Sequence, residues 1–389
     1  MIYFIIDVMR KGGGAQKVLS IMLPYLKDKV ELIVLKKTEN LLEIPSVKTH
    51  YVLESESEAL LQNSFFILDK IMQIAKDSTL LVSFMDFITG YYTALSSQIL
   101  KVPYYCFIRC EPSFVEDSFP QSQINHKLYE LTLQNAVKVI CNSGSSCNDV
   151  IENFGVPKKR VELLYNPIDT QNIDELKDKK YKFNKKEGEI VCVAVGRLHV
   201  QKNYKILFES FKFLQVEDSR FHLYVLGDGE QRVELEDYIL KNNLQNITLC
   251  GFQKNIYVFL KHADIFIHAS LYEGFPNVLL EAAYLKKPLV LSSIPVHREI
   301  FSKDSSVFFE ANSSLSLKEA IKQAYNNKES LVKNTERIIQ KYLQNGFFKQ
   351  LDEMFKVHWG SPRIMRHGSP KVALGKPSDN EAMDKNMGQ

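Results

Sequence analysis

The sequence predicts an α/β protein built from two Rossmann-like, doubly wound domains with mostly parallel sheets. Three observations point there. The chain has 389 residues, too many for one ordinary core and enough for two. Short β-branched and aromatic runs alternate with longer stretches of helical period, the signature of repeated strand–helix–strand units. The alternation fills the first half, lapses across a charged stretch, and starts again.

In chain order, strands are expected at 2–8, 30–35, 79–84, 103–108, 137–142 and 161–166. A second series follows at 189–196, 221–227, 246–251, 263–270 and 288–293. Residues 1–170 therefore read as one domain and 189–335 as the other. Between them, 171–188 gains charge, loses apolar residues and sustains no period, as a linker does. A C-terminal helix is expected over 336–357, packing back on the first domain. Residues 358–389, rich in Gly, Pro, Ser and charge, read as a disordered tail.

Composition narrows the function classes. Apolar residues make up 45% and charged residues 24%, which suits a folded chain and excludes wholesale disorder. A net charge of +3, from 49 basic against 46 acidic residues, lacks the basic footprint of a nucleic-acid binder. Six cysteines without a C-x-x-C pair read as reduced, mostly core residues. The opening apolar run has no basic region ahead of it, so it reads as a first strand rather than a signal peptide. No stretch reaches membrane-spanning length, and a cytoplasmic location is expected. The lysines of 177–186 fit either contact with anionic lipid or simple solvation.

The segments that carry chemistry all sit where a strand should hand over to a helix. In 263–288 that junction is Glu273-Gly-Phe-Pro-Asn-Val-Leu-Leu-Glu281, with Pro276 and Asn277 marking the helix start. A helix N-terminus at the carboxyl end of a strand favours anions such as phosphate. Two carboxylates there are awkward unless they accept hydrogen bonds from neutral groups, and sugar hydroxyls are a natural choice. The same residues also fit a surface helix whose acids stabilise its start.

A second junction, 193–203, places Gly196 beside Arg197 and Lys202, two cations suited to a diphosphate or merely exposed in a loop. His199 there reads as a bystander. A third, at 8–26, joins the first strand to an amphipathic helix through Gly12, Gly13 and Gly14, whose N–H groups no side chain screens. It is not the dinucleotide fingerprint, because the third glycine position holds Lys17. Asp228, in a fourth junction, reads as a helix cap. Phe252, in a fifth, fits either a nucleotide base or core packing.

In this order and spacing, Glu273 and Glu281 around GFPNVLL and the Gly196-Arg197-Leu198…Lys202-Asn203 loop resemble the retaining glycosyltransferases of family 4, which have the GT-B fold. The resemblance covers about residues 1–350. It implies two domains facing each other across a cleft, the first binding acceptor and the second the nucleotide sugar. Arg197 and Lys202 would hold the donor diphosphate, Glu281 the ribose and Glu273 the transferred sugar. The N–H groups of Gly274, Phe275, Asn277 and Val278, on either side of Pro276, with Gly13 and Gly14, would complete the site, and Phe252 would lie by the base. Catalytic residues on this reading are Arg197, Lys202 and Glu273.

The implied reaction is transfer from a nucleoside-diphosphate sugar, a UDP-sugar in preference to a GDP-sugar, with retention and with neither metal nor cofactor. A glycan or lipid-linked acceptor is implied, in bacterial lipopolysaccharide, capsule or related synthesis at the inner membrane face. One departure stands out: where many members of the family carry a His after the fourth strand, this chain has Arg109 and Glu111. Arg109 fits either a substrate contact or a structural pair with Glu111. Two other readings use the same residues: a nucleotide-sugar binder without turnover, and another enzyme of the fold, such as an epimerase or phosphorylase.

Overall fold

The computed structural model describes residues 1–85, 87–117, 122–180 and 185–359. Among them the first seven strands form one sheet: β1 (Ile2–Val8), β2 (Val30–Lys36), β3 (Thr49–Leu53), β4 (Leu80–Ser83), β5 (Tyr104–Ile108), β6 (Lys138–Cys141) and β7 (Val161–Leu163). All pair in parallel, in the order β3-β2-β1-β4-β5-β6-β7. A second parallel sheet runs β10-β9-β8-β11-β12-β13. Its strands are β8 (Ile190–Val195), β9 (Phe221–Leu226), β10 (Ile247–Leu249), β11 (Ile265–His268), β12 (Leu289–Ser292) and β13 (Val307–Phe309).

Helices cover both faces of each sheet, so the central strands alternate between two cores. In β1, Ile2, Phe4 and Ile6 enter one core, while Tyr3 and Ile5 enter the other. In β8, Ile190, Cys192 and Ala194 face one way, and Val191 and Val193 the other. Full burial of each large apolar side chain is worth roughly 1.5–3 kcal/mol, which fixes the register, since a one-residue slip exchanges the faces.

Every expected strand appears, most of them trimmed at the ends; β7 keeps only the first three residues of the 161–166 run. Two edge strands went unread. β3 is half-exposed and polar over Thr49 and His50, and β13 is only three residues long, so neither carries a sustained apolar alternation.

The 171–188 stretch is not linker throughout. The helix Thr170–Leu176 fills its beginning, with Asp169 capping through the Asn172 N–H and Ile173 buried in the second core. A single buried apolar residue in seven leaves too little period to read. Residues 181–184 lie outside the described residues.

The helix Gln344–Trp359 returns to the first domain, where Phe347, Leu351, Met354 and Phe355 pack with Ile2 and Phe4 of β1. It runs through His358 and Trp359, the first two residues of the expected tail; 360–389 lie outside the described residues. The chain thus passes between the domains twice, and the passages touch: the Ile168 N–H donates to the Tyr342 carbonyl at 2.7 Å.

Candidate functional site

In each sheet the chain reverses its winding direction beside the first strand, at β1/β4 and at β8/β11. Loops leaving the carboxyl ends of strands at such a switch point splay apart and leave a crevice. The two crevices face each other.

The first domain supplies the turn Gly12–Gly14. Gly12 has φ +88°, in the region that favours glycine, and a Cβ on it would lie 3.2 Å from the Phe252 ring of the second domain. Gly14 opens the helix Gly14–Leu26, and its carbonyl accepts from Asn277 Nδ2 at 3.2 Å. Across the gap Gly274 approaches still closer: a Cβ there would fall 1.8 Å from the Arg109 carbonyl oxygen. Only glycine lets the domains meet at that point.

Between these contacts lies a cavity of about 340 Å³. Its first-domain wall is Gly14, Ala15, Arg109, Cys110, Phe114, Asn142 and Asn166; its second-domain wall is Gln201, Tyr272, Glu273, Gly274, Phe275 and Asn277. Phe114 and Tyr272 stack across the mouth, with centroids 5.3 Å apart. A polar chain crosses the cavity. Arg109 donates to Asn166 Oδ1 at 2.8 Å, and Asn166 Nδ2 donates to Asn277 Oδ1 at 2.7 Å. Asn277 begins the helix Asn277–Tyr284, which has no side-chain cap; the Asn277 and Leu279 N–H groups donate to the Phe275 and Pro276 carbonyls, and the Val278 N–H, without a protein acceptor among the described residues, is open to an anion.

Glu273 is nearly buried and is ion-paired to Lys202, while His268 Nε2 stands 3.6 Å from it. His268 rests in turn on His297. Burial keeps both rings neutral; the His297 Nδ1–H then donates to the Ser292 carbonyl at 2.8 Å, and its Nε2 accepts from His268 Nδ1 at 3.0 Å. In that arrangement His268 turns a lone pair towards the Glu273–Lys202 pair. Burial pushes the His297 ring down to about 4 and holds His268 well below the usual histidine range, an effect that Lys202 reinforces.

Glu281 lies one helical turn behind. It is ion-paired to Lys17 of the opposite domain, and Lys17 also donates to the Tyr257 hydroxyl at 2.5 Å. Burial alone would lower the Lys17 ammonium, but Glu281 and Tyr257 hold it above the ordinary lysine range. Arg197 is not among the residues lining the cavity; it is two-thirds exposed and 3.2 Å from Glu230. His199 shares Glu230 at 3.3 Å, and its ring caps the turn at 200–202. Asp228 does not cap the helix Arg232–Lys241, whose N-cap is Gln231 without a side-chain cap; it accepts from the adjacent Gly229 N–H and pairs with Arg232 at 3.3 Å.

The structure thus gathers Gly14, Arg109, Glu273, Gly274, Phe275 and Asn277 round one cavity, with Lys202 on Glu273. Gly196 packs against Lys202, where a Cβ would lie 3.0 Å from Cε. Gly13 faces the Gln16 side chain, Pro276 precedes the open helix start, Val278 is half-buried, and Phe252 sits half-exposed on Gly12. Glu111 does not join them. It faces Ser145, Asp149 and Glu299, and burial, with the two acids, raises its carboxyl above the usual range. Sequence reasoning missed Lys17, Asn166, Tyr257 and His268 as site residues; only Lys17, one turn past the glycine run, stood where a signal was being sought.

Comparison with known proteins gives this architecture a family. The family model described as Glycosyltransferase Family 4 matches residues 83–172, and that of Glycosyl transferases group 1 matches 176–341. The chain is 27% identical over 346 residues to a Campylobacter jejuni protein, covering 82% of this chain and 90% of the relative. That relative is the N-acetylgalactosamine-N,N'-diacetylbacillosaminyl-diphospho-undecaprenol 4-alpha-N-acetylgalactosaminyltransferase. It is also 27% identical to the Escherichia coli UDP-Gal:alpha-D-GlcNAc-diphosphoundecaprenol alpha-1,3-galactosyltransferase, over 53% of this chain and 56% of that one. In fold it matches Anabaena HepE, crystallised with UDP and glucose, at a TM-score of 0.79 and 19% identity over 92% and 99% of the two chains. The chain belongs to the GT-B glycosyltransferases of the family 4 type.

Proposed function

We propose that this glycosyltransferase moves a sugar from a UDP-sugar to a hydroxyl of a lipid-linked glycan, with retention of anomeric configuration and without a metal. The observation that carries the reading is the interdomain cavity, walled by the open helix start at Asn277 on one side and the Gly14 turn on the other. A diphosphate placed there meets the positive end of that helix, with its Val278 N–H, from one domain and the glycine turn of the other. Lys202 turns from Glu273 to the phosphates, and Arg197, exposed and paired with the exposed Glu230, swings in beside it. Glu273, so released, accepts from hydroxyls of the transferred sugar, and Glu281 from those of the ribose.

In the reaction the bond from the anomeric carbon to the diphosphate oxygen breaks, and the acceptor oxygen bonds to the same face. The acceptor proton passes to a donor phosphate oxygen. Negative charge grows on the leaving diphosphate, so cations and N–H groups fixed there stabilise the transition state more than the ground state. Arg109, through Asn166, fixes the Asn277 side chain at that helix start.

The relatives that act on undecaprenol-linked sugars support a lipid-borne acceptor, and with it a place at the inner face of a bacterial membrane in lipopolysaccharide, capsule or related synthesis. No described helix is long and apolar enough to cross a membrane. The helix Ser64–Ile74 and the turn before it leave Leu61, Phe65 and Phe66 exposed, a better lipid contact than the linker lysines, of which Lys177 and Lys185 already pair with Asp174 and Asp264.

The test is release of UDP from UDP-sugars in the presence of undecaprenyl-diphosphate-linked sugars. Lys202→Ala and Arg197→Ala are expected to lower kcat/KM by about a hundredfold or more. No acceptor-dependent UDP release from any common UDP-sugar, or near-normal kinetics for both variants, would refute the assignment.

A further inference from the structure

We infer that Lys17 belongs to the ribose subsite, so that the ribose is gripped by both domains at once: Glu281 of the second accepts from one hydroxyl of the vicinal pair, and Lys17 of the first donates to the other. The inference rests on the donor reading above and adds a residue to it from the domain that otherwise faces the acceptor.

Three observations carry it. Lys17 lies on the helix that follows the glycine turn, yet both of its partners, Glu281 and Tyr257, belong to the other domain, 264 and 240 residues away in sequence. The pair is enclosed: the side chains of Lys17 and Glu281 are 28% and 7% exposed. And its bonding is incomplete in a complementary way. Lys17 reaches only Oε1 of Glu281, and among the described residues no hydrogen bond reaches Oε2. An ammonium carries three donors, and two are spent among the described residues.

One acceptor oxygen and one donor N–H therefore stand side by side. A cis-diol presents the matching pair, one hydroxyl as donor to Oε2 and its neighbour as acceptor from Nζ. Tyr257 holds the ammonium in place; burial, and then Glu281, push its hydroxyl up to about 12, so it stays protonated through the working range. Lys17 also offsets the carboxylate charge, without which Glu281 would repel the diphosphate arriving at the neighbouring helix start. A consequence is that ribose is read only when the domains are together, since either domain alone offers half of the contact.

The experiment compares the affinities of the full chain for UDP and for 2′,3′-dideoxy-UDP by titration calorimetry, in the wild type, Lys17→Met and Lys17→Arg. The wild type is expected to prefer UDP. Lys17→Met is expected to narrow that preference by about tenfold or more, through weaker UDP binding, while dideoxy-UDP changes much less. Lys17→Arg, which keeps the charge and a donor, should restore most of the preference.

A preference unchanged by Lys17→Met would overturn the inference and leave the donor reading standing. Tighter UDP binding by Lys17→Met would also overturn it, marking Lys17 as a plug in the subsite. If the wild type bound none of UDP, GDP, ADP and TDP, the donor reading itself would fall, and this one with it. Should Lys17→Met not fold, Tyr257→Phe reads the same quantity: loss of the hydroxyl that fixes Nζ should narrow the preference, and an unchanged ratio would count against the inference.

Discussion

At the scale of the residue, the two buried histidines set a limit on where the protein is stable. His268 and His297 are neutral in the folded state and pushed below the ordinary histidine range, whereas in the unfolded chain they titrate near 6.5. The unfolded state therefore binds more protons between about pH 6.5 and 4, and stability is lost as pH falls through that window. For His297 alone the loss is on the order of 3 kcal/mol. Thermal melts of the wild type from pH 7.5 to 4 are expected to fall steeply below 6.5, and His297→Gln to flatten that slope while starting from a lower melting temperature at pH 7.5. Parallel slopes for the two proteins would refute the neutral-pair account.

The same scale shows what the sequence could and could not disclose. Glu273 and Glu281 lie on one short strand-to-helix junction, so their spacing keeps them near each other, Glu273 lining the cavity and Glu281 a helical turn behind it on Lys17. Lys17 and Tyr257 meet partners more than two hundred residues away, and Asn166 links Arg109 and Asn277, 57 and 111 residues from it; no local pattern encodes such meetings. Glu111 misled for the opposite reason. Its closeness to Arg109 in sequence suggested a pair, but the turn after β5 sends Arg109 to Asn166 and Glu111 towards Ser145.

Among the elements, the helix Gly144–Glu152 joins the domains in a manner the binary pattern does not announce. Its first N–H groups, from Gly144 and Ser145, donate to the Glu299 carboxylate of the other domain at 2.7 and 3.3 Å. Tyr165 donates to the same carboxylate at 2.8 Å. An acid at a helix start is favourable, and here it also fastens one domain to the other. Glu299→Ala is expected to cost about 0.5–2 kcal/mol of stability and to raise KM for the nucleotide sugar several-fold, with kcat much less affected. Small-angle scattering should show a wider ligand-free particle; an unchanged KM and profile would mean that Glu299 only caps. The elements themselves were legible wherever a run was long and buried, as in β1 and β8. They were illegible at the sheet edges, where β3 and β13 are half-exposed or short, and in the helix Thr170–Leu176, which has a single buried residue.

For the molecule as a whole, the two passages between domains meet at Ile168 and Tyr342, so the domains are joined by two adjoining segments rather than by a single loose tether. The doubly wound pairing was legible from the restart of the strand series, and a helix packing back on the first domain was expected over 336–357; the structure has it at Gln344–Trp359. Its weight can be measured. A chain ending at residue 343 loses Phe347, Leu351, Met354 and Phe355 from the face of β1 and is expected to be insoluble or to melt in two steps, the first domain unfolding first. A single cooperative melt at the wild-type temperature would show that the helix contributes little.

That returning helix also reverses the order in which the protein can be completed. The second domain is continuous in sequence and can close its core as soon as its last strand and helices leave the ribosome. The first domain, though synthesised earlier, has the core round Ile2, Phe4 and Ile6 covered in part by the helix Gly14–Leu26 and completes it only when residues 347–355 emerge. During translation the part made first is the part finished last.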